Sequence, residues 1–385
     1  MFSFEFYNPT KLVFGKDSVN KLDDLLPSEA RILILYGGSS AEKTGTLAEV
    51  RHAVGKRIVF EFGGVEPNPT YETLSQAVEL VRKENIDFLL AVGGGSVIDG
   101  SKFVAAAAKF KGDTWSILET WGSNIVEALP LGVVLTLPAT GSETNNAAVI
   151  TRAETKTKSL LASSQVFPKF AILDPVKTYT LPARQLANGV VDAFVHVMEQ
   201  YLTYPVWASI QDRFAEGILQ TLVEIGAKVV FEPADFDTRA NLMMSATMAL
   251  NGLIGSGVPH DWATHFIGHE ITALYEIDHA RTLAIVLPSL LNAKREQKNQ
   301  KLLQYAERIW GICTGDEQQR IDLAIEKTKE FFESLGAKTT LSAYGLGAEA
   351  IDHIIENLEK RGMTALGEHK DITPNVVREI LNASL

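Results

Sequence analysis

Apolar residues in the first half of the chain fall in short unbroken runs, each closed by glycine or proline. Arg31–Tyr36 (RILILY) stops at Gly37-Gly38, Arg57–Phe62 (RIVFEF) at Gly63-Gly64 and Asp87–Val92 (DFLLAV) at Gly93-Gly94-Gly95. Gly132–Leu137 (GVVLTL) stops at Pro138, and Ala171–Leu173 (AIL) at Asp174-Pro175. Such runs predict strands buried on both faces. Between them the apolar period changes to three and four residues. Tyr71, Leu74, Val78 and Val81 predict a helix after Asn68-Pro69, with the proline at its first position. An alanine-rich stretch predicts another over Val97–Lys109. Strands alternating with helices of this length predict a parallel sheet wound on both faces, with ligands at the carboxyl ends of its strands.

After about Thr180 the strand pattern stops. Pro182–Tyr201, Ile210–Val230, Ala240–Leu253 and Ile321–Leu335 read as long amphipathic helices, with Thr180 as N-cap of the first. The expected organisation is an α/β domain over residues 1–180 and an all-helical domain over 181–385. A length of 385 residues suits two such domains.

Charge and composition narrow the function. Lys and Arg number 36 against 47 Asp and Glu, a net charge of -11, which argues against a nucleic-acid partner. No apolar run reaches the roughly 18 residues of a membrane span. The start, MFSFEFYNPTKLVFGK, lacks the basic, apolar and small-residue order of a secretion signal, so a cytoplasmic protein is expected. The single cysteine, Cys313, excludes an internal disulfide framework and a thiolate metal site. Any metal must be held by histidine and carboxylate.

Three strand-end loops have the chemistry of a nucleotide site. Gly93-Gly94-Gly95-Ser96 opens a helix, and glycine lets backbone amides approach a phosphate closely. The GxGxxG spacing fails at Ile98, so alone this string equally fits a tight turn. Gly37-Gly38-Ser39-Ser40 carries no carboxylate before Glu42, and Lys43 is near. A dinucleotide site for NAD(H) uses an acidic residue here for the ribose 2′-hydroxyl, so this loop favours NADP(H). Thr136–Glu143 supplies further hydroxyls and amides.

Five of the eight histidines cluster in the second half. Asp192 and His196 stand four apart, as do His265 and His269, which puts each pair on one helix face. His260 and His279 flank the second pair. A carboxylate and three imidazoles suit a divalent ion such as Zn²⁺ or Fe²⁺, with Mn²⁺ or Ni²⁺ also accepted. Spacing leaves His260, His265, His269 and His279 competing for three places. The HExxH protease pattern and the GxSxG elbow are absent.

These features together resemble the iron-containing (group III) alcohol dehydrogenases, most of all their NADPH-dependent aldehyde reductase and butanol dehydrogenase members. The marks are NPTKLVFGK (8–16), EPNPTYETL (66–74), AVGGGSVIDGSK (91–102), TLPATGSETN (136–145), ILDPVKTYTLP (172–182), ANGVVDAFVHVMEQY (187–201) and the 260–281 stretch. The resemblance covers essentially the whole chain. It implies a Rossmann-like domain followed by a helical one, the dehydroquinate synthase-like fold, and a homodimer. It implies metal ligands Asp192, His196, His265 and His279, with His269 in proton relay or substrate positioning and His260 outside the set. It also implies Gly94, Gly95, Ser96 and Asp99 at the pyrophosphate and ribose, and Thr136, Thr140, Asn145 and Lys158 along the nicotinamide half. Gly37, Gly38, Ser39 and Ser40 would hold the 2′-phosphate end, with Asn68 close by. The implied reaction is hydride transfer between NADPH and a small aldehyde or alcohol at the metal. Within the same superfamily, an NAD-linked polyol dehydrogenase and a dehydroquinate synthase-type lyase are the alternatives. The lyase expects a phosphate pocket dense in cations, yet Arg281 is the one candidate near the histidines.

Overall fold

The structure, a computed structural model, describes every residue from Met1 to Leu385. The chain forms two compact units. One comprises Tyr7–Leu181 and Ala234–Thr247; the other comprises Met1–Phe6, Pro182–Pro233 and Met248–Leu385. A single cut at 180/181 therefore does not separate them: one later helix joins the first unit, and the first six residues join the second.

The first unit holds β1 (Lys11–Phe14), β2 (Arg31–Tyr36), β3 (Ile58–Phe62), β4 (Phe88–Gly94), β5 (Leu131–Leu137), β6 (Ala147–Arg152), β7 (Thr157–Ala162) and β8 (Phe170–Leu173). Six of them form an all-parallel sheet in the order β1-β8-β5-β4-β2-β3, and β6 and β7 form a separate antiparallel pair. Alternate residues of one strand bury on opposite faces. Leu33, Leu35, Leu89, Ala91, Val133 and Leu135 pack with Leu74, Val78, Ala105 and Ala107 of two helices. Ile32, Ile34, Leu90, Val92 and Val134 pack on the other side with Leu47 and Val50. Burial on both faces is why these strands read as continuous apolar runs. β1, β6 and β7 give no such run: β1 is an edge strand with exposed side chains, β6 buries only Ala148 and Ile150, and β7 only Lys158 and Leu161.

The topology creates the ligand crevice. From β2 the chain moves outward to β3, whereas from β4 it moves the other way to β5. The adjacent carboxyl ends of β2 and β4 are thus a topological switch point, where open α/β sheets bind ligands. Gly37–Ser40 and Gly94–Ser96 stand there.

Helix starts depart from the expected ones. Thr70 caps the Tyr71–Lys83 helix, its hydroxyl accepting from Thr73 N at 3.3 Å, so Pro69 precedes the cap. The Ala183–Tyr201 helix starts after Pro182, and Thr180 does not cap it. The helix expected over Ala240–Leu253 runs over Phe236–Ala249. Asp235 Oδ1 accepts from Thr238 N at 2.9 Å at its start, and Gly252 with φ 93° lies beyond its end.

In the helical unit, Ala183–Tyr201 is buried continuously from Leu186 to Tyr201. Its polar residues Asn188, Asp192, His196, Glu199 and Gln200 are buried with the apolar ones, so they must find partners inside the protein. Phe194 meets Phe332 edge-on at 5.5 Å on one side of this helix. Ala263–Tyr275 and His279–Ala293 carry the remaining histidines of interest.

Candidate functional site

Asp192 and His196 project from consecutive turns of the buried helix, and His196 Nδ1 is 3.8 Å from Asp192 Oδ1. His265 Nε2 is 4.0 Å from the same oxygen, and the His196 and His265 rings stack at 4.6 Å. One donor atom each from Asp192, His265 and His279 lie within 4.8 Å of one another. His196 stands beside this trio through its contacts to Asp192 and His265. Asp192 Oδ1 is buried and accepts no hydrogen bond. A bare carboxylate oxygen facing imidazoles is costly unless a cation satisfies it, so the residues fit a divalent ion of borderline hardness.

Three carboxylates outside the expected set, Glu199, Asp261 and Asp278, brace these side chains and the segments that carry them. Glu199, almost fully buried, accepts from His265 Nδ1 and, through Oε1, from Thr264 N at 2.7 Å. That bond turns Nε2 of His265 toward Asp192, as an acceptor on the far nitrogen does for a metal-bound imidazole. Asp261 Oδ1 accepts from Ala263 N at 3.0 Å, so two carboxylates satisfy the first-turn amides of the Ala263–Tyr275 helix. Burial, followed by the nearby Asp261 charge, pushes the Glu199 carboxyl well above its usual range. Asp278 ties His279 to the buried helix: its Oδ2 accepts from Arg184 Nε at 2.6 Å and Asn188 Nδ2 at 2.8 Å. Glu199 was within reach of the sequence, three residues past His196 on the same helix face.

The other histidines separate by geometry. His269 lies with its ring 4.8 Å from His279 and 6.2 Å from His265, beside the trio. His260 engages both ring nitrogens elsewhere: Nε2 with Gly255 O at 2.9 Å, and Nδ1 with Trp262 Nε1 at 3.2 Å. Arg281 donates to Gly336 O at 2.8 Å and lies 3.7 Å from Asp278. It is thus held by the protein rather than presented as a phosphate clamp.

On the sheet, Gly94 and Gly95 pack too tightly for any side chain. A Cβ on Gly94 would sit 2.9 Å from Leu137 Cβ, and one on Gly95 2.5 Å from Thr140 Cγ2. Gly94 is the N-cap of the Gly95–Lys109 helix, with no side-chain cap on its amides. Asn68 N approaches Ser96 Oγ at 3.4 Å, and Lys158 Nζ donates to Asn68 Oδ1 at 2.8 Å, so these three residues gather at one place. Thr136 is half-buried one residue before the end of β5, and Thr140 Oγ1 accepts from Ser142 N at 3.2 Å. Glu42, the first carboxylate after Gly37–Ser40, pairs with Arg51, which also holds Glu61.

Asp99 and Asn145 help to build the third loop. Asp99 accepts from Ser142 Oγ at 2.5 Å and from Val149 N at 2.8 Å. Asn145 accepts from Lys102 Nζ and Ala147 N and donates to Gly141 O at 3.1 Å. Lys102, fully buried, also donates to Ser142 Oγ and Ala147 O. Burial pushes its ammonium down to about 8. Sequence alone did not expose this lysine, because its partners lie some forty residues away.

A switch-point nucleotide crevice and a carboxylate–imidazole ion site on one chain describe a metal-dependent dinucleotide enzyme. The family model for iron-containing alcohol dehydrogenases matches residues 9–175, and that for the C-terminal part of the Fe-containing alcohol dehydrogenase family matches 186–385. The chain belongs to the iron-containing alcohol dehydrogenase family. It is 58% identical to the NADPH-dependent aldehyde reductase YqhD of Escherichia coli, with both chains covered completely. It is 40% identical to a probable NADH-dependent butanol dehydrogenase of Bacillus subtilis, again over the full length of both. The solved NADH-dependent butanol dehydrogenase A of Thermotoga maritima superposes with a TM-score of 0.95 at 36% identity, covering 100% of this chain and 99% of that one.

Proposed function

We propose that the protein is a metal-dependent, NADPH-linked aldehyde reductase acting on small aldehydes and the corresponding alcohols. The observation that carries this reading is the bare, buried Asp192 Oδ1 set among imidazoles in a chain with a switch-point nucleotide crevice. Asp192, His196, His265 and His279 would hold the ion, Fe²⁺ or Zn²⁺. When both groups are bound, the ion supplies Lewis acidity toward a carbonyl oxygen and the reduced nicotinamide supplies hydride to the carbonyl carbon. His269 delivers the proton that the oxygen takes up, so aldehyde, hydride and proton balance as alcohol. The amides of Gly95 and Ser96 would donate to the pyrophosphate, with Asn68 held beside Ser96 by Lys158 rather than at the 2′-phosphate end, and Lys158 would reach the nicotinamide half. Thr136 and Thr140 line the same stretch.

NADPH is favoured because Gly37–Ser40 presents no carboxylate and Arg51 neutralises Glu42 and Glu61. The NADH-linked butanol dehydrogenases among the relatives keep a second cofactor reading in view. We further propose a cytoplasmic homodimer. The edge strand β1 leaves Leu12 and Phe14 exposed, and a second copy of this chain would cover them. No helix is long and apolar enough to cross a membrane.

The test is NADPH oxidation with butanal by metal-loaded protein, with and without chelator, and against NADH. Chelator-sensitive oxidation with kcat/KM higher for NADPH is expected. Failure of every aldehyde to support NADPH oxidation would overturn the reductase reading, and a higher kcat/KM for NADH would overturn the cofactor assignment.

A further inference from the structure

Trp262 stands in the left-handed region, φ 62° and ψ 2°, as the residue before the Ala263–Tyr275 helix. Glycine occupies that region freely, whereas a bulky L-residue is strained in it. The chain nevertheless carries its largest side-chain type there. Strain of this kind persists only where the surroundings hold the residue in place, and it points to function at that spot.

The surroundings are specific. The half-buried indole is edge-on to His265 at 5.4 Å and to His196 at 6.3 Å, two imidazoles of the ion site. Its one polar atom, Nε1, donates to His260 Nδ1 at 3.2 Å. His260 is fixed in turn through Nε2 to Gly255 O at 2.9 Å, which makes Nδ1 the acceptor. Gly255 must be glycine for this brace: a Cβ there would meet His260 Nε2 at 2.6 Å.

We infer that Trp262 is a specificity-determining residue, the apolar wall against which the aldehyde's carbon chain lies beside the ion site. Because His260 takes the indole N–H, the ring offers only carbon to the substrate. It therefore selects unbranched aliphatic aldehydes over hydroxylated ones. His260 is a positioning residue that acts through Trp262. This inference rests on the reductase reading above.

The experiment uses full-length wild type, Trp262→Gly, Trp262→Phe and His260→Ala. Glycine suits φ 62°, so Trp262→Gly removes the wall without straining the backbone. Kinetics with NADPH run across acetaldehyde, propanal, butanal and glyceraldehyde. If the wall buries each added methylene, wild-type kcat/KM is expected to rise about fourfold per added carbon. In Trp262→Gly the rise is expected to fall below about twofold per carbon, through KM, and Trp262→Phe to restore most of it. His260→Ala is expected to narrow the preference for propanal over glyceraldehyde. In parallel, Co²⁺ titrated into metal-stripped protein should quench tryptophan emission, and Trp262→Phe should lose most of that quench. An active wild type with an unchanged chain-length rise in Trp262→Gly, or an unchanged quench in Trp262→Phe, overturns the inference. A wild type inert toward every aldehyde overturns the reductase reading and the chain selectivity together.

Discussion

Glu199→Gln is the sharpest perturbation of the ion site, because it leaves every ligand and nearly all the volume in place. Glu199 is 3% exposed, and its two oxygens accept from two different donors, Thr264 N and His265 Nδ1. Glutamine offers one acceptor oxygen, so one of those donors must face an NH₂ group instead. If His265 loses its partner, its ring is free to turn and its basicity falls. Loss of such an outer partner costs about 10–100-fold in metal affinity, or roughly 1.4–2.7 kcal/mol. The assay is chelator competition for the bound ion at fixed pH, with circular dichroism to establish that the fold is intact. A folded Glu199→Gln protein whose metal Kd stays within about twofold of wild type would refute the claim that this carboxylate orients His265.

Two further outcomes follow from buried contacts in the sheet unit. Lys102 titrates at about 8 in the folded protein against 10.5 as the ordinary value, because it is buried. The unfolded chain then binds more protons between these values, so stability rises with pH from about 8 to 10.5, by up to about 3 kcal/mol. Lys102→Met should remove that rise in urea unfolding over this window, and a retained rise counts against the assignment. Gly132→Ala would drive a Cβ to 2.2 Å from Phe170 Cζ, whose ring is buried and stacked on Phe88 at 6.1 Å. Overpacking of this kind costs about 1–3 kcal/mol, which calorimetry would register as a lowered melting temperature; an unchanged one contradicts the packing.

The buried strands are legible in the sequence because a strand covered on both faces needs apolar residues at every position, as Ile32–Leu35 and Leu89–Val92 have. The β6–β7 pair is not, since its polar Thr157–Ser159 stretch matches no buried run. Among site residues, the i,i+4 pair Asp192 and His196 is written locally. The position of His279 is not: it depends on Asp278 meeting Arg184 and Asn188 some ninety residues earlier. Asp99 and Asn145 carry the right polarity for a cofactor contact, and the fold also sets their atoms against Ser142, Val149, Lys102 and Gly141. Residue type gives polarity; only the fold assigns the partner.

The division of the chain has a consequence for its synthesis. The polypeptide passes from one unit to the other after Phe6, Leu181, Pro233 and Thr247. A nascent chain that has emerged to Leu181 holds all eight strands but lacks the Phe236–Ala249 helix. That helix supplies Met243 to the sheet's core and Thr247 Oγ1 to Glu143 at 2.6 Å. Until residue 247 leaves the ribosome, an apolar face stays open and the buried Glu143 carboxyl has no hydroxyl donor from Thr247. Met1–Phe6, made first, wait longer still, because Phe2 N donates to Gly257 O. Folding from the N-terminus therefore cannot complete the sheet unit before the helical unit has begun to emerge.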